Sequence, residues 1–188
     1  MLEFHSENHE YRWDGEKVIS VTQLLPKVQF FCSPEQLEAA RVEGNDNHSM
    51  VKMFWDTGET FDDPYLESFR SWYEDNKTLL GEILLYEQPL FSKKLNYAGT
   101  PDMFFTNAIV DLKRTPGNVK YHALQFAGYN LLRKEAGMPG VKKWILLWHD
   151  GKEFKTKNVY NPQAEGIFKS LVMRWNIEQQ INNYLKGV

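Results

Sequence analysis

The stretch AGTPDMFFTNAIVDLKRT, residues 98–115, contains two short apolar runs that each carry one carboxylate. A two-residue turn at 106–107 joins the runs into a β-hairpin, and counting outward from that turn places Asp102 opposite Asp111. Directly opposed residues point to the same face of a hairpin, with Cβ atoms about 4.5–5.5 Å apart. Lys113 lies two residues beyond Asp111 and therefore on that face as well. The stretch predicts a hairpin that gathers two carboxylates and one ammonium group.

The two opposed carboxylates need a positively charged partner. Carboxylates this close repel each other, which raises the pKa of one of them, and a divalent cation between them removes the repulsion. Oxygen ligands of this kind suit Mg²⁺ or Mn²⁺. Gly99 and Pro101 weaken strand pairing just before Asp102, and such irregularities often turn a side chain toward a site. A structural salt bridge between Lys113 and one of the acids is the open alternative.

The composition is that of an ordinary globular protein. The 188 residues are 42% hydrophobic and 25% charged, which fits one folded domain and excludes a disordered chain. A single cysteine, Cys32, cannot form an intrachain disulfide, which favours a reducing compartment. The opening MLEFHSENHE has no signal-peptide pattern, and the longest apolar run, WILLW at 144–148, is too short to span a membrane. We expect a soluble protein of the cytoplasm.

The charge is distributed unevenly along the chain. Residues 1–88 contain 18 Asp and Glu against 7 Lys and Arg, and residues 89–188 contain 7 against 15. An asymmetry of this kind is typical of a protein with one basic face that meets phosphates. Solvated helix faces of opposite sign explain the counts equally well, so both interpretations stay open.

The first elements have clear boundaries in the sequence. The alternating run HEYRWDGEKVISV, residues 9–21, contains Asp14 followed by Gly15, which predicts a β-hairpin with its turn at that pair. Ser20 is a suitable N-cap for a short helix over VTQLL, and Pro26 ends that helix.

Two helices are predicted in the acidic part of the chain. Ser33 is the N-cap of the first, Pro34 its first residue, and Gln36 completes a capping box with Ser33. Gly44 and the polar residues after it are expected to loosen this helix before a second apolar piece, HSMVKMFWDTG at 48–58. Another helix begins at residue 64 and continues through YLESFRSWYEDN.

The second half of the chain is richer in strands. Four segments are strand-like: EILLYEQPLFS, YAGTPDMFF, AIVDLKRT and KKWILLWH. A helix over roughly 119–136 separates the third from the fourth, and an amphipathic helix over about 162–185 closes the chain. We therefore expect one mixed α/β domain over residues 1–188. Residues 1–80 supply the N-terminal hairpin and helices, and residues 81–188 supply a central β-sheet and the closing helix.

The hairpin motif has a known counterpart. GTPD, a short spacer and DLK at 111–113 resemble the signature of the PD-(D/E)XK nuclease superfamily, in which Asp102 and Asp111 are the acids. More narrowly, the chain resembles the RecB-like and phage-type exonuclease branch. In that branch the strand with Asp-x-Lys precedes a helix with Gln-x-x-x-Tyr, and LQFAGY supplies Gln125 and Tyr129 here.

A histidine upstream extends the resemblance. The branch has a histidine in an Arg-x-Gly-x-x-x-His context, and RVEGNDNHSMVKMF offers a looser version with Arg41, Gly44 and His48. The opening YRWDGEKVISVTQLL is also typical of small phage-related members, so that the resemblance covers about residues 9–150. Four other histidines are rivals for the role of His48, and they are His5, His9, His122 and His149.

The resemblance implies a restriction-endonuclease-like core and a metal centre. Asp102, Asp111, the backbone carbonyl of Leu112 and His48 would bind Mg²⁺ or Mn²⁺, and the metal would activate water and polarise the phosphate. Lys113 would act beside the attacking water, either by helping to deprotonate it or by offsetting charge in the transition state.

Further residues have supporting roles in this interpretation. Gln125 and Tyr129 are four residues apart on one helix face and would orient Lys113, an acid or a phosphate. Glu87 stands where many relatives keep an acid and would be an outer ligand or the partner of a second metal ion. Arg114 and Lys120 flank the site in sequence and are the first candidates for phosphate contacts.

The function implied is hydrolysis of phosphodiester bonds in DNA, either single-stranded or at duplex ends, by an exonuclease of phage recombination or DNA repair. Two alternatives stay open. One is an endonuclease or an RNA-directed enzyme of the same chemistry. The other is a catalytically inactive nucleic-acid-binding module of the same fold.

Overall fold

The structure is a computed structural model that describes residues 1–5, 7–26, 34–57 and 63–187. The helices are α1 Val21–Leu24, α2 Pro34–Thr57, α3 Pro64–Leu80, α4 Val119–Glu135 and α5 Ala164–Lys186. The strands are β1 Leu2–His5, β2 Glu10–Trp13, β3 Glu16–Ser20, β4 Ile83–Tyr86, β5 Leu90–Ser92, β6 Tyr97–Gly99, β7 Met103–Phe105, β8 Ile109–Lys113, β9 Trp144–His149 and β10 Phe154–Asn158. Within the described part of the chain, no helix has the length and apolar character needed to cross a membrane.

The strands form two mixed sheets, where the sequence predicted one. The N-terminal sheet has the order β1-β2-β3-β6-β5, and the C-terminal sheet has the order β10-β9-β8-β7-β4. One pair in each sheet is parallel, β3 with β6 and β8 with β9, and the other pairs are antiparallel. The mixed α/β class is confirmed, with helices flanking the sheets.

The second sheet arises because two predicted strands are each broken in the middle. EILLYEQPLFS becomes β4 and β5, with Glu87 between them in a left-handed conformation at φ 41°. YAGTPDMFF becomes β6 and β7, with Pro101 in the break. Neither a left-handed residue nor a proline continues a strand ladder easily, so the chain crosses from one sheet to the other at both points.

The predicted N-terminal hairpin and its helix are confirmed. Asp14 and Gly15 form the turn between β2 and β3 with φ values of 48° and 84°, as expected of a two-residue hairpin turn. Ser20 caps α1, because its side chain accepts a hydrogen bond from the Gln23 N–H and the Gln23 side chain accepts one from the Ser20 N–H. This reciprocal pair is a capping box.

The loosening expected at Gly44 does not break the helix, because α2 is continuous from Pro34 to Thr57. A glycine inside a helix costs only about 1 kcal/mol. Val51 and its neighbours Phe54 and Trp55 pack against the C-terminal sheet and α3, and this apolar contact outweighs the local cost. The helix begins at Pro34 as predicted, whereas the predicted capping box of Ser33 and Gln36 lies outside the described side chains.

The later helices agree with their predictions. α3 begins at Pro64 behind Asp63, whose carboxylate accepts hydrogen bonds from the Tyr65 and Leu66 N–H groups. α4 and α5 fall within two residues of the predicted 119–136 and 162–185. The edge strand β10 was not predicted, because its residues FKTKN have almost no apolar character.

The C-terminal sheet separates two apolar layers. One layer packs the sheet against α1, α4 and α5 and contains Phe104 and Ile109. The other packs it against α2 and α3 and contains Met103, Val110 and Leu112. Because side chains alternate along a strand, Asp111 and Lys113 share the α4 face with Ile109.

Candidate active site

The hairpin of β7 and β8 has the register that the sequence predicts. Met103 pairs with Val110, so the next position outward places Asp102 opposite Asp111. The Leu112 N–H donates a hydrogen bond of 2.6 Å to Asp102 Oδ2. The Glu87 N–H donates another, of 2.9 Å, to the Asp102 carbonyl. The Leu112 N–H thus fixes the carboxylate of Asp102 at the mouth of the hairpin, and the Glu87 N–H fixes its backbone.

Asp111 and Lys113 form a close ion pair on the α4 face. Lys113 Nζ lies 2.6 Å from Asp111 Oδ2. The Asp111 side chain is 1% exposed and the Lys113 side chain 27%, so the acid is buried and the amine reaches solvent. This contact is the salt bridge that the sequence left open as an alternative to a metal site.

Helix α4 supplies a polar pair that contacts Asp111. The Gln125 side-chain amide donates a long hydrogen bond of 3.4 Å to Asp111 Oδ1 and one of 3.1 Å to the Tyr129 hydroxyl. Gln125 and Tyr129 are both buried. The predicted helix face therefore does point at the acid, and Gln125 holds the carboxylate in one orientation.

His48 reaches the same place from α2 on the opposite side of the sheet. Its Nδ1 lies 3.2 Å from Glu87 Oε1, its Nε2 lies 3.2 Å from the Leu112 carbonyl oxygen, and the same Nε2 lies 3.8 Å from Asp102 Oδ2. The Tyr86 hydroxyl donates a hydrogen bond of 3.2 Å to the His48 carbonyl. The structure thus brings His48, Glu87, the acid pair and Leu112 together as predicted.

The electrostatics of the cluster follow from these contacts. The carboxylate of Asp102, opposed by burial and helped by Glu87, raises the pKa of His48 to about 9. Burial raises the pKa of Asp111, although Lys113 opposes this. Burial alone would lower the pKa of Lys113, but Asp111 and Asp102 outweigh it, so that the pKa of Lys113 is raised. Without a bound metal, Lys113 and His48 are therefore both cations at neutral pH.

The atoms around His48 are of types that bind divalent cations. Ligands 2.0–2.1 Å from Mg²⁺ are about 3.0 Å apart on adjacent corners of an octahedron and about 4.2 Å apart on opposite corners. The distance from His48 Nε2 to the Leu112 oxygen, 3.2 Å, is close to the adjacent value, whereas the 3.8 Å from Nε2 to Asp102 Oδ2 matches neither, so Mg²⁺ would require a small movement of one of these side chains. Among the described residues, no three His, Cys, Asp or Glu side chains form a ready metal site; beside His48 and Asp102 the third oxygen or nitrogen atom is the backbone carbonyl oxygen of Leu112.

Two predicted residues lie outside this cluster. Arg114 is exposed just after β8, and Lys120 is exposed in the first turn of α4. Among the rival histidines, His149 packs against Tyr65 and Phe154. His122 is buried on α4 close enough to Asp111 for that charge to raise its pKa, although burial lowers the pKa overall.

Sequence reasoning missed two tyrosines near the site. Tyr86 supports the His48 backbone, and its position directly before Glu87 was the one signal that could have indicated it. Tyr121 lies one helical turn before Gln125, and its pKa responds to Lys113 and Asp111, although burial is the main cause of its rise.

A comparison of the sequence with protein-family profiles found no match, and a search of curated proteins also found none. The geometry of the cluster and the sequence motif are thus the two grounds for a functional proposal.

Proposed function

We propose that the protein is a metal-dependent nuclease with a restriction-endonuclease-like core, which hydrolyses phosphodiester bonds in DNA. One observation carries the proposal: His48, Asp102, Asp111, the Leu112 carbonyl and Lys113 meet at the mouth of one hairpin. These groups come from opposite sides of the sheet. If Lys113 and Asp111 formed a salt bridge with only a structural role, neither His48 nor Asp102 would be needed beside them.

His48, Asp102, Asp111 and the Leu112 carbonyl would hold Mg²⁺ or Mn²⁺. When bound, the cation would polarise the phosphate and lower the pKa of the attacking water. His48 must lose its proton before it can act as a ligand, because only neutral imidazole binds a metal. Glu87 accepts a hydrogen bond from His48 Nδ1 and so directs the free electron pair of Nε2 toward Asp102 and Leu112.

Lys113 would supply positive charge where the phosphate reacts. Its ammonium group is held by Asp111 at the border between the buried acid and solvent, so that it needs no rearrangement to meet a developing negative charge. Of the two roles suggested by the sequence, the raised pKa of Lys113 favours charge stabilisation over removal of a proton. Gln125 and Tyr129 are positioning residues, since they act on the substrate only through Asp111.

A digestion assay tests the proposal. Labelled linear DNA is incubated with wild type in Mg²⁺, Mn²⁺ or EDTA, and with Lys113→Ala. The matched control is Lys157→Ala, which removes an exposed lysine from the edge strand β10. We expect cleavage with either metal, none in EDTA, and a loss of about 10²–10³-fold in Lys113→Ala but not in Lys157→Ala.

Several outcomes are informative. Degradation of linear but not closed circular DNA identifies an exonuclease, and degradation of both DNAs identifies an endonuclease. A preference for RNA over DNA corrects the substrate but not the chemistry. Binding without turnover of linear DNA, circular DNA and RNA in both metals overturns the proposal in favour of an inactive nucleic-acid-binding module.

A further inference from the structure

A wide groove lies between the N-terminal sheet and the last helix. One wall is formed by β3 and α1, the other by α5, and its volume is about 1190 Å³. Pockets that enclose a single small molecule have volumes of about 300–1,000 Å³. This groove is larger and therefore suits a short stretch of a polymer better than a metabolite.

One wall of the groove is a row of amides. Asn176, Gln179, Gln180 and Asn183 all line it, and their spacing of three, four and seven residues places them on one face of α5. An amide side chain both donates and accepts hydrogen bonds. The row can therefore pair with ligands that present donors and acceptors together, as the edges of nucleic-acid bases do.

One lining residue of the groove lies near the proposed active site. Tyr121 lines the groove and is followed by Gln125 and Tyr129 at intervals of four residues on α4. Residues with this spacing are neighbours on a helix, with Cβ atoms about 5–6 Å apart. Gln125 contacts Asp111, and the pKa of Tyr121, which burial raises, also responds to the charges of Lys113 and Asp111. Tyr121 and Trp175, which also lines the groove, are half-buried aromatic side chains of the type on which bases stack.

The low positive charge of the groove favours a single strand over a duplex as its ligand. Among the described residues that line it, Lys17 is the one charged side chain, and Lys17 is itself paired with Glu10 at 2.7 Å. Duplexes are held chiefly by cationic contacts to phosphates. A single strand can instead be held by stacking and by hydrogen bonds to its exposed bases.

We infer that this groove binds an unpaired nucleic-acid strand and directs it to the cluster at Asp111 and Lys113. The inference rests on the proposed function and adds to it the class of substrate. It predicts binding that depends only weakly on salt, because each phosphate contact to a single strand contributes a slope of about −0.7 to the plot of log affinity against log salt. With Lys17 and Lys113 as the contacts, the slope should be no steeper than about −1.4.

The test measures binding without cleavage. Fluorescence anisotropy in EDTA compares a labelled single strand of about 12 nucleotides with a duplex of the same sequence. Asn183→Asp adds a negative charge to the groove, and Asn182→Asp adds the same charge to the neighbouring residue, which does not line it. Gln179→Glu provides a second groove variant, and circular dichroism verifies that each variant is folded.

We expect wild type to prefer the single strand, and Asn183→Asp and Gln179→Glu to weaken its binding about five-fold or more, since a like charge near a phosphate costs on the order of 1 kcal/mol in water. Asn182→Asp should bind nearly as wild type does. Equal binding by Asn183→Asp and Asn182→Asp, or tighter binding of the duplex, overturns the inference that this groove binds a single strand. It does so even if the enzyme cleaves DNA. Failure of the proposed function has a separate signature, namely intact DNA in the digestion assay.

Discussion

The proton on His48 should stabilise the metal-free protein at neutral pH and stop doing so in alkali. A group whose pKa is higher in the folded state stabilises the fold fully below its unfolded pKa, and this contribution is lost as the pH rises through the folded value. For His48 the two values are 6.5 and about 9. The free energy of unfolding should therefore fall between pH 6.5 and pH 9 relative to a variant that lacks the imidazole.

The size of this effect follows from the pKa shift. One pKa unit is equivalent to about 1.4 kcal/mol, so the rise from 6.5 to about 9 contributes about 3 kcal/mol. Because the ring is 29% exposed and water screens its contacts with Asp102 and Glu87, this value is an upper bound. In a protein of this size it corresponds to a shift in melting temperature of about 6–12 °C.

Urea unfolding in EDTA at pH 6, 7, 8, 9 and 10 measures the effect in wild type and in His48→Gln. The stability difference between the two should shrink by up to about 3 kcal/mol across this range. His5→Gln, which replaces an exposed histidine on β1, is the matched control. Parallel curves for wild type and His48→Gln would refute the reasoning, because Asp102 and Glu87 would then not hold a proton on the ring.

Two glycines should respond to alanine in opposite directions. A Cβ at Gly128 would meet ring carbons of Phe168 at 2.7 and 2.8 Å, so Gly128→Ala should lower the free energy of unfolding by about 1–3 kcal/mol through overpacking. A Cβ at Gly44 meets no described atom within 4 Å, so Gly44→Ala should raise it by about 0.5–1 kcal/mol through helix propensity. Urea unfolding at pH 7 measures both, and stabilisation by Gly128→Ala would contradict the packing of α4 against α5.

The hairpin and its acid pair were predictable because strand register is strongly constrained. Side chains alternate with a period of two, so the turn at 106–107 determined which residues share a face with Asp111. Helix starts were predictable for a similar reason, since the Ser20 cap and the proline at residue 64 act locally. His48 was identified by its motif, and the sequence contained no information on its distance from Asp102.

The remainder depended on contacts between distant parts of the chain. The continuity of α2 through Gly44 depends on the packing of Val51 and its neighbours against another layer, which no local pattern reports. The division into two sheets depends on the conformation of Glu87, a residue type that normally avoids the left-handed region. The groove joins β3 and α1 to α5, more than a hundred residues away, and so it had no signature in any single segment.

The peptide groups on either side of Leu112 make two of the contacts that define the cluster, one to Asp102 and one to His48. An amino-acid substitution at this position changes only the leucine side chain, which packs in the layer next to α2 and α3. Alanine scanning would therefore report position 112 as a packing residue and miss its backbone contacts with Asp102 and His48. Amide-to-ester replacement deletes a main-chain donor and keeps the side chain, so it would test the main-chain hydrogen bond from Leu112 to Asp102 directly.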